Sequence, residues 1–182
     1  MSGFQQWLEY TLASGDTVAA IMETRWGWPI AESIHFIGLT LLFGSIAAWD
    51  LRLVGVARSV PIAAFHRLVP ISMFGFTLNA ATGAMFLMTY PNQYVYNPAF
   101  HLKVLCLMLA GANIVVFYAT TYRRANVASA TGSPPLGARI AGAVSLLCWT
   151  AVIILGRMIT FYRPHLCQPG EAIDFLARCV VR

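Results

Sequence analysis

The chain has 182 residues, 58% of them hydrophobic and 10% charged, with a formal net charge of +5 and a mean hydropathy of +0.66. A soluble domain of that composition would expose large apolar patches, so lipid is part of its solvent. The twelve Lys and Arg are scattered and never form a basic run, which argues against nucleic acid as a partner, and four spans of about 20 residues leave no separate catalytic domain.

In chain order, the opening residues lack the basic start and apolar core of a secretory signal, so the spans are expected to direct insertion. Phe4, Trp7, Leu8, Thr11, Leu12, Val18 and Ile21 recur at roughly helical spacing, which predicts an amphipathic helix on the outer membrane surface. Trp26 and Trp28 would anchor its junction with the first span. Four stretches with little or no charge then follow, at 30–49, 71–90, 100–122 and 138–162, each long enough to cross a hydrocarbon layer of about 30 Å as a helix. Pro29, Pro70 and Pro98 suit first-turn positions, and Asn97 suits the N-cap before Pro98. Tyr90, Tyr122 and Tyr162 mark interfaces at the far ends.

The predicted fold is therefore all-α: an integral membrane four-helix bundle over 29–163, preceded by the amphipathic segment 1–28 and followed by an extracytoplasmic tail, 164–182. Arg52, Arg58 and Arg67 flank the first inter-span loop and Arg123, Arg124 and Arg139 the third, whereas 91–99 has no Lys or Arg. The positive-inside rule then places both termini outside, in the periplasm if the membrane is a bacterial inner membrane. Cys167 and Cys179 would lie in an oxidising compartment, where a disulfide and two separate thiols both stay open. No Cys-x-x-Cys-His occurs, which excludes a covalent c-type haem. The small, polar run 126–135 reads as the most flexible link.

Ionisable groups cost roughly 2.5–3.5 kcal/mol in hydrocarbon even on the lenient scale, so each needs a partner or a purpose. Glu32 and His35, three residues apart on one face of the first span, share a depth with His101, Lys103 and Arg157, and His165 follows just outside. The sharpest use of this outer cluster is a b-type haem with His35 and His101 as axial ligands to the iron and Arg157 and Lys103 facing the propionates. A copper site from His35, His101 and Met158 is a second use. A di-iron site lacks its second Glu-x-x-His. The bland alternative pairs Glu32 with Arg157 or Lys103 and has His35 hydrogen-bond a neighbouring helix. Asp50, Arg52 and His66 form a thinner set at the opposite interface. Asn79, Thr82 and Asn113 are expected to bridge helices, and small residues including Gly75, Gly83, Gly111 and Gly142 to permit close approach. No phosphate loop, nucleophile elbow or Ser-His-Asp set is present, so catalysis in isolation is not expected.

Trp28-Pro29, Glu32, His35, Gly38, Leu42, Gly44 and Asp50-Leu51-Arg52-Leu53-Val54-Gly55 resemble an uncharacterised bacterial family of small four-helix membrane proteins. So do Gly75-Phe76, Thr82-Gly83, Pro91 with Tyr94, Asn97-Pro98-Ala99-Phe100, Lys103 and Gly156-Arg157. The likeness covers roughly residues 26–162 and implies the four-helix architecture. In the family pattern the histidine matching His35 is characteristic, whereas His101 stands where histidine is not typical. A more distant, fold-level likeness runs to the copper-resistance D and b-type cytochrome bundles. These readings lead to a membrane electron-transfer protein with one haem b near the outer face, in a respiratory or photosynthetic complex and with quinone as a candidate partner. A cofactor-free accessory subunit of a larger membrane complex, and a small transporter or copper permease, are the alternatives.

Overall fold

The computed structural model describes residues 2–13, 16–129, 134–168 and 178–180. Two short helices, α1 (Ser2–Ala13) and α2 (Asp16–Met22), precede the long α3 (Gly27–Val54). Pro29 sits in the first turn of α3, where a missing N–H costs nothing, and Gly55 closes the helix at φ 120°, its N–H donating to the Leu51 carbonyl. The one-turn α4 (Ile62–Phe65) leads through a 3₁₀ turn, His66–Leu68, into α5 (Val69–Thr89), which has Pro70 in its first turn. A short α6 (Pro91–Val95) joins α5 to α7 (Pro98–Val116). The Asn97 side chain caps α7 by accepting from the Ala99 N–H at 3.0 Å. One π-helical turn, Phe117–Thr121, carries α7 into α8 (Tyr122–Ser129), and α9 (Leu136–Met158) ends the helical part.

Four of these stretches are long and apolar enough to cross a membrane: Gly27–Val54, Ile62–Thr89, Pro98–Ala128 and Leu136–Met158. The chain is an all-α, four-span membrane protein, and its spans overlap the expected ones but extend further beside residues 54–62 and 128–136. Large apolar side chains such as Phe36, Phe74, Leu102, Leu109, Leu147 and Ile154 are exposed along them, as lipid-facing residues should be.

The spans form a row. α3 and α9 pack together at the centre, α5 packs on α3, and α7 packs on α9, while α5 and α7 share no interface of comparable extent. Small residues set the tight crossings. A Cβ at Gly75 would lie 2.7 Å from the Gly38 carbonyl oxygen and 2.6 Å from the Leu42 nitrogen, so α3 and α5 touch backbone to backbone. Gly142 brings α9 equally close to α3, since its Cβ would lie 2.8 Å from the Asp50 carbonyl oxygen. Gly111 faces open space, so not every small residue in the spans serves a contact.

The first and last described segments, 2–13 and 178–180, lie at one end of the bundle, here the terminal end, and the connections around 55–61 and 134–135 lie at the other, the loop end. The terminal end carries a cap. In α1, Gln5 is buried and donates from Nε2 to the Val95 carbonyl at 3.0 Å, while the Tyr96 hydroxyl donates to Glu9 Oε2 at 3.0 Å. Gln93 and Asn97 each donate to the carbonyls of Ile159 and Tyr162, which stitches the 91–97 connection to the end of α9. Cys167 and Cys179 form a disulfide, and backbone bonds Cys167–Val180 and Val180–His165 hold the two segments together. Val180 packs with Leu12 and Leu87 against Val95 and Tyr96. The amino-terminal segment, expected as one surface helix, is thus two helices, with α1 turning polar residues toward the protein and leaving Phe4, Trp7 and Tyr10 exposed. Only part of the predicted flexible link 126–135 and of the tail 164–182 falls within the described residues.

Candidate functional site

His35 lies a little over two turns into α3 from the terminal end, and its partner comes from the adjacent span. His35 Nδ1 and Thr82 Oγ1 are 2.7 Å apart. With the Thr82 hydroxyl proton assigned to the Leu78 carbonyl, also at 2.7 Å, Thr82 accepts and His35 Nδ1–H donates. In that assignment Nε2 carries the lone pair. Phe86 packs edge-on against the imidazole with ring centroids 5.5 Å apart, and Trp28 lies 4.8 Å from Phe86 on its other side. Gly83 admits the ring, its Cβ position being 3.9 Å from His35 Cε1.

Lys103 comes to the same level from α7. It is partly buried, and its Nζ lies 3.4 Å from the position a Cβ would take at Gly156 in α9. A Cβ at 156 would meet the ammonium in ordinary van der Waals contact, so Lys103 lies directly against α9 at Gly156. Lys103 is near enough to His35 for the two to interact electrostatically.

The other expected members of the cluster are arranged differently. His101 donates from Nε2 to the Val95 carbonyl at 2.8 Å, which ties its ring to the cap at the start of its own span. Arg157 is exposed and lies over the Phe161 ring at 5.3 Å. Glu32 is exposed on α3, and among the described residues it forms no ion pair with Lys103 or Arg157. His165 takes part in the backbone bridge to Val180. The structure therefore brings His35, Thr82, Phe86 and Lys103 to one level of the bundle, with Glu32 and Arg157 on its outer surface and His101 in the cap.

Tested against a haem, this arrangement offers His35 Nε2 as one nitrogen that could hold the iron. A metal-bound imidazole characteristically donates its other N–H to a fixed acceptor, and the Thr82 hydroxyl, itself anchored on Leu78, is such an acceptor. Val95 holds His101 by Nε2, so any lone pair this ring offers is on Nδ1, and the ring is tied to the cap. Among the described residues, no group of three or more His, Cys, Asp or Glu side chains forms a metal cage.

In the cap, burial pushes the Tyr94 phenol up to about 12. Burial together with the carboxylate of Glu9 raises Tyr96 further, so both phenols stay protonated through the physiological range.

Sequence reasoning found His35 and Lys103 from their depth alone. It missed the burial of two of the loop-end set: Asp50 and Arg52 are 3% and 1% exposed, covered by protein. Asn79 bonds its own Gly75 carbonyl, whereas Thr82 and Asn113, the latter donating to the Ala141 carbonyl at 3.0 Å, do bridge helices. Comparison of the chain with protein-family models, curated proteins and solved structures gives no match. The fold itself defines the class: a multi-pass helical membrane protein with a capped end.

Proposed function

We propose that the chain is a membrane electron-transfer protein that holds one b-type haem through His35 near the terminal end, within a respiratory or photosynthetic redox complex of a bacterial inner membrane. The observation that carries this reading is the 2.7 Å contact of His35 Nδ1 with Thr82 Oγ1, which engages that nitrogen and leaves Nε2 for a ligand in a partly buried setting beside Phe86. A haem bound there would supply one-electron chemistry. Lys103 supplies a positive charge at the same level for a propionate, and Thr82 keeps the imidazole in the ligating tautomer. Phe86 and Trp28 exclude water from one side of the ring. Quinone is the partner class suited to such a site, and the resemblance to the uncharacterised four-helix family favours His35 over His101 as its fixed point.

A reduced-minus-oxidised absorption spectrum of protein purified from haem-replete cells tests this reading. A b-type α band that disappears in His35→Ala supports it. No such band in the wild-type protein ends it.

One observation favours a second reading, that of a cofactor-free accessory subunit. The row arrangement leaves α5 and α7 each with a single major neighbour among the spans, so two long apolar faces are available to other membrane helices. Purification in mild detergent separates the readings: a lone monomer with haem fits the first, and a haem-free chain that co-purifies with partners fits the second.

A further inference from the structure

Asp50 sits one turn before the loop end of α3, and its Oδ2 is buried without a hydrogen-bond partner. The fourth span closes over it, with Gly142 against its backbone and Ser145, one turn further along α9, presenting a hydroxyl to the carboxyl group. A buried, unpaired carboxylate costs several kcal/mol, so it must pair, bind a cation or take up a proton.

Pairing fails on geometry. Arg52 is two residues away and therefore about 200° round the helix. Its Nε donates to the Val60 carbonyl at 2.6 Å and its Nη2 to the Arg58 carbonyl at 3.2 Å, while Nη1 is itself buried without an acceptor. Two orphaned groups so close in sequence would satisfy one another if they could. The remaining ionisable groups near this end also point elsewhere. His66 packs against Trp49, Tyr118 and Tyr122, Arg139 donates to the Val54 carbonyl, and Arg58, Arg67, Arg123 and Arg124 are exposed, where water and salt screen them.

A metal cation fails on ligand count. Hard cations need about six oxygen ligands, and no cage of acidic side chains exists among the described residues. A proton needs only one oxygen.

We propose that Asp50 is a proton-binding site at the loop end of the bundle: the carboxylate takes up one proton, COO⁻ + H⁺ → COOH, and is held in the folded protein as the neutral acid. The proton enters and leaves at the loop end, since Val54, the last residue of α3, lies only about 6 Å further along the helix axis. Every other acidic residue falls before position 33 or after position 170, which makes Asp50 the one acid in the spans' loop-end half. Ser145 is its positioning residue on the facing helix.

Infrared spectroscopy of the full-length chain in liposomes at pH 7 tests the proposal. A carboxylic-acid C=O stretch that shifts on H₂O/D₂O exchange and on ¹³C-aspartate labelling is expected, and Asp50→Asn should abolish it. Aspartate labelling of the wild-type protein decides the matter even if that variant does not fold. A wild-type spectrum with no neutral-acid band at pH 7, or a band that survives unchanged in Asp50→Asn, overturns it. Ser145→Ala should keep the band and shift its frequency, because it removes a hydrogen-bond donor and no acid.

Discussion

At the residue scale, the Thr82 hydroxyl is the group that decides which nitrogen of His35 is available. Thr82→Val removes the acceptor at almost constant volume and frees the imidazole to turn or change tautomer. If His35 ligates haem, the variant should bind it about 10–100-fold more weakly, the usual cost of losing such a supporting partner. Haem titration of the purified apoprotein measures this, and unchanged affinity would remove Thr82 from the site. His101→Ala should leave most of the haem in place, because the Val95 carbonyl ties that ring into the cap. A second residue-scale prediction concerns Asn97, fully buried, with its Oδ1 capping α7 and its Nδ2 holding two carbonyls of the chain after α9. Asn97→Ala should lower stability by about 2–3 kcal/mol, combining a lost cap with stranded carbonyls, as read from denaturant unfolding in detergent. Sequence shows that Asn97 precedes Pro98 and so suggests the cap. It cannot show the link to Ile159 and Tyr162, more than sixty residues away, because no local pattern encodes which loop meets which helix end. The Thr82–His35 bond, 47 residues long in sequence, escapes for the same reason.

At the element scale, the positions of the spans were legible because hydropathy and boundary prolines are local signals. Their lateral order was not. Glycine spacing hinted that Gly75 and Gly142 lie in interfaces, yet Gly111 carries the same signal and faces open space. What separates them is the partner backbone: the Gly38 carbonyl for one and the Asp50 carbonyl for the other. Gly75→Ala should therefore force α3 and α5 apart at a backbone contact that cannot yield as a side chain would, at a cost of about 1–3 kcal/mol. Gly111→Ala should be neutral. Thermal unfolding of the two variants in the same detergent tests the contrast, and equal losses would contradict the row arrangement. The cap offers a pH test of its own. Tyr96 donates to Glu9, and its raised folded-state value means that this bond holds below about pH 10, where the unfolded phenol also keeps its proton. Its contribution is lost as pH rises through the folded value. Alkaline unfolding of the wild-type protein should show that loss, and Tyr96→Phe should be less stable at pH 8 and flatter above pH 10.

At the scale of the whole molecule, charge and connectivity are unevenly divided. Arg52, Arg58, Arg67, Arg123, Arg124 and Arg139 belong to the loop end against Asp50 alone, so the net charge of the chain is carried there. The terminal end has the disulfide and the hydrogen-bonded cap. From this asymmetry the positive-inside rule leads us to propose an orientation, with the loop end cytoplasmic and the cap outside. The disulfide points the same way by a separate argument, since a Cys167–Cys179 bond persists in an oxidising compartment and not in a reducing one. Cysteines introduced at exposed Gln6 and Ser59, with Cys106 and Cys148 replaced by alanine, provide the test. In intact spheroplasts a membrane-impermeant maleimide should label Gln6→Cys at once and Ser59→Cys only after permeabilisation. The native pair should resist labelling until a reductant is added. The reverse pattern would put Asp50 at the outer face, so that its proton exchanged with the periplasm, and would leave His35 near the cytoplasm. Either orientation keeps the proposed haem site at His35 and the proposed proton site at Asp50 at opposite ends of α3, and agreement would assign the proton site to the cytoplasmic face.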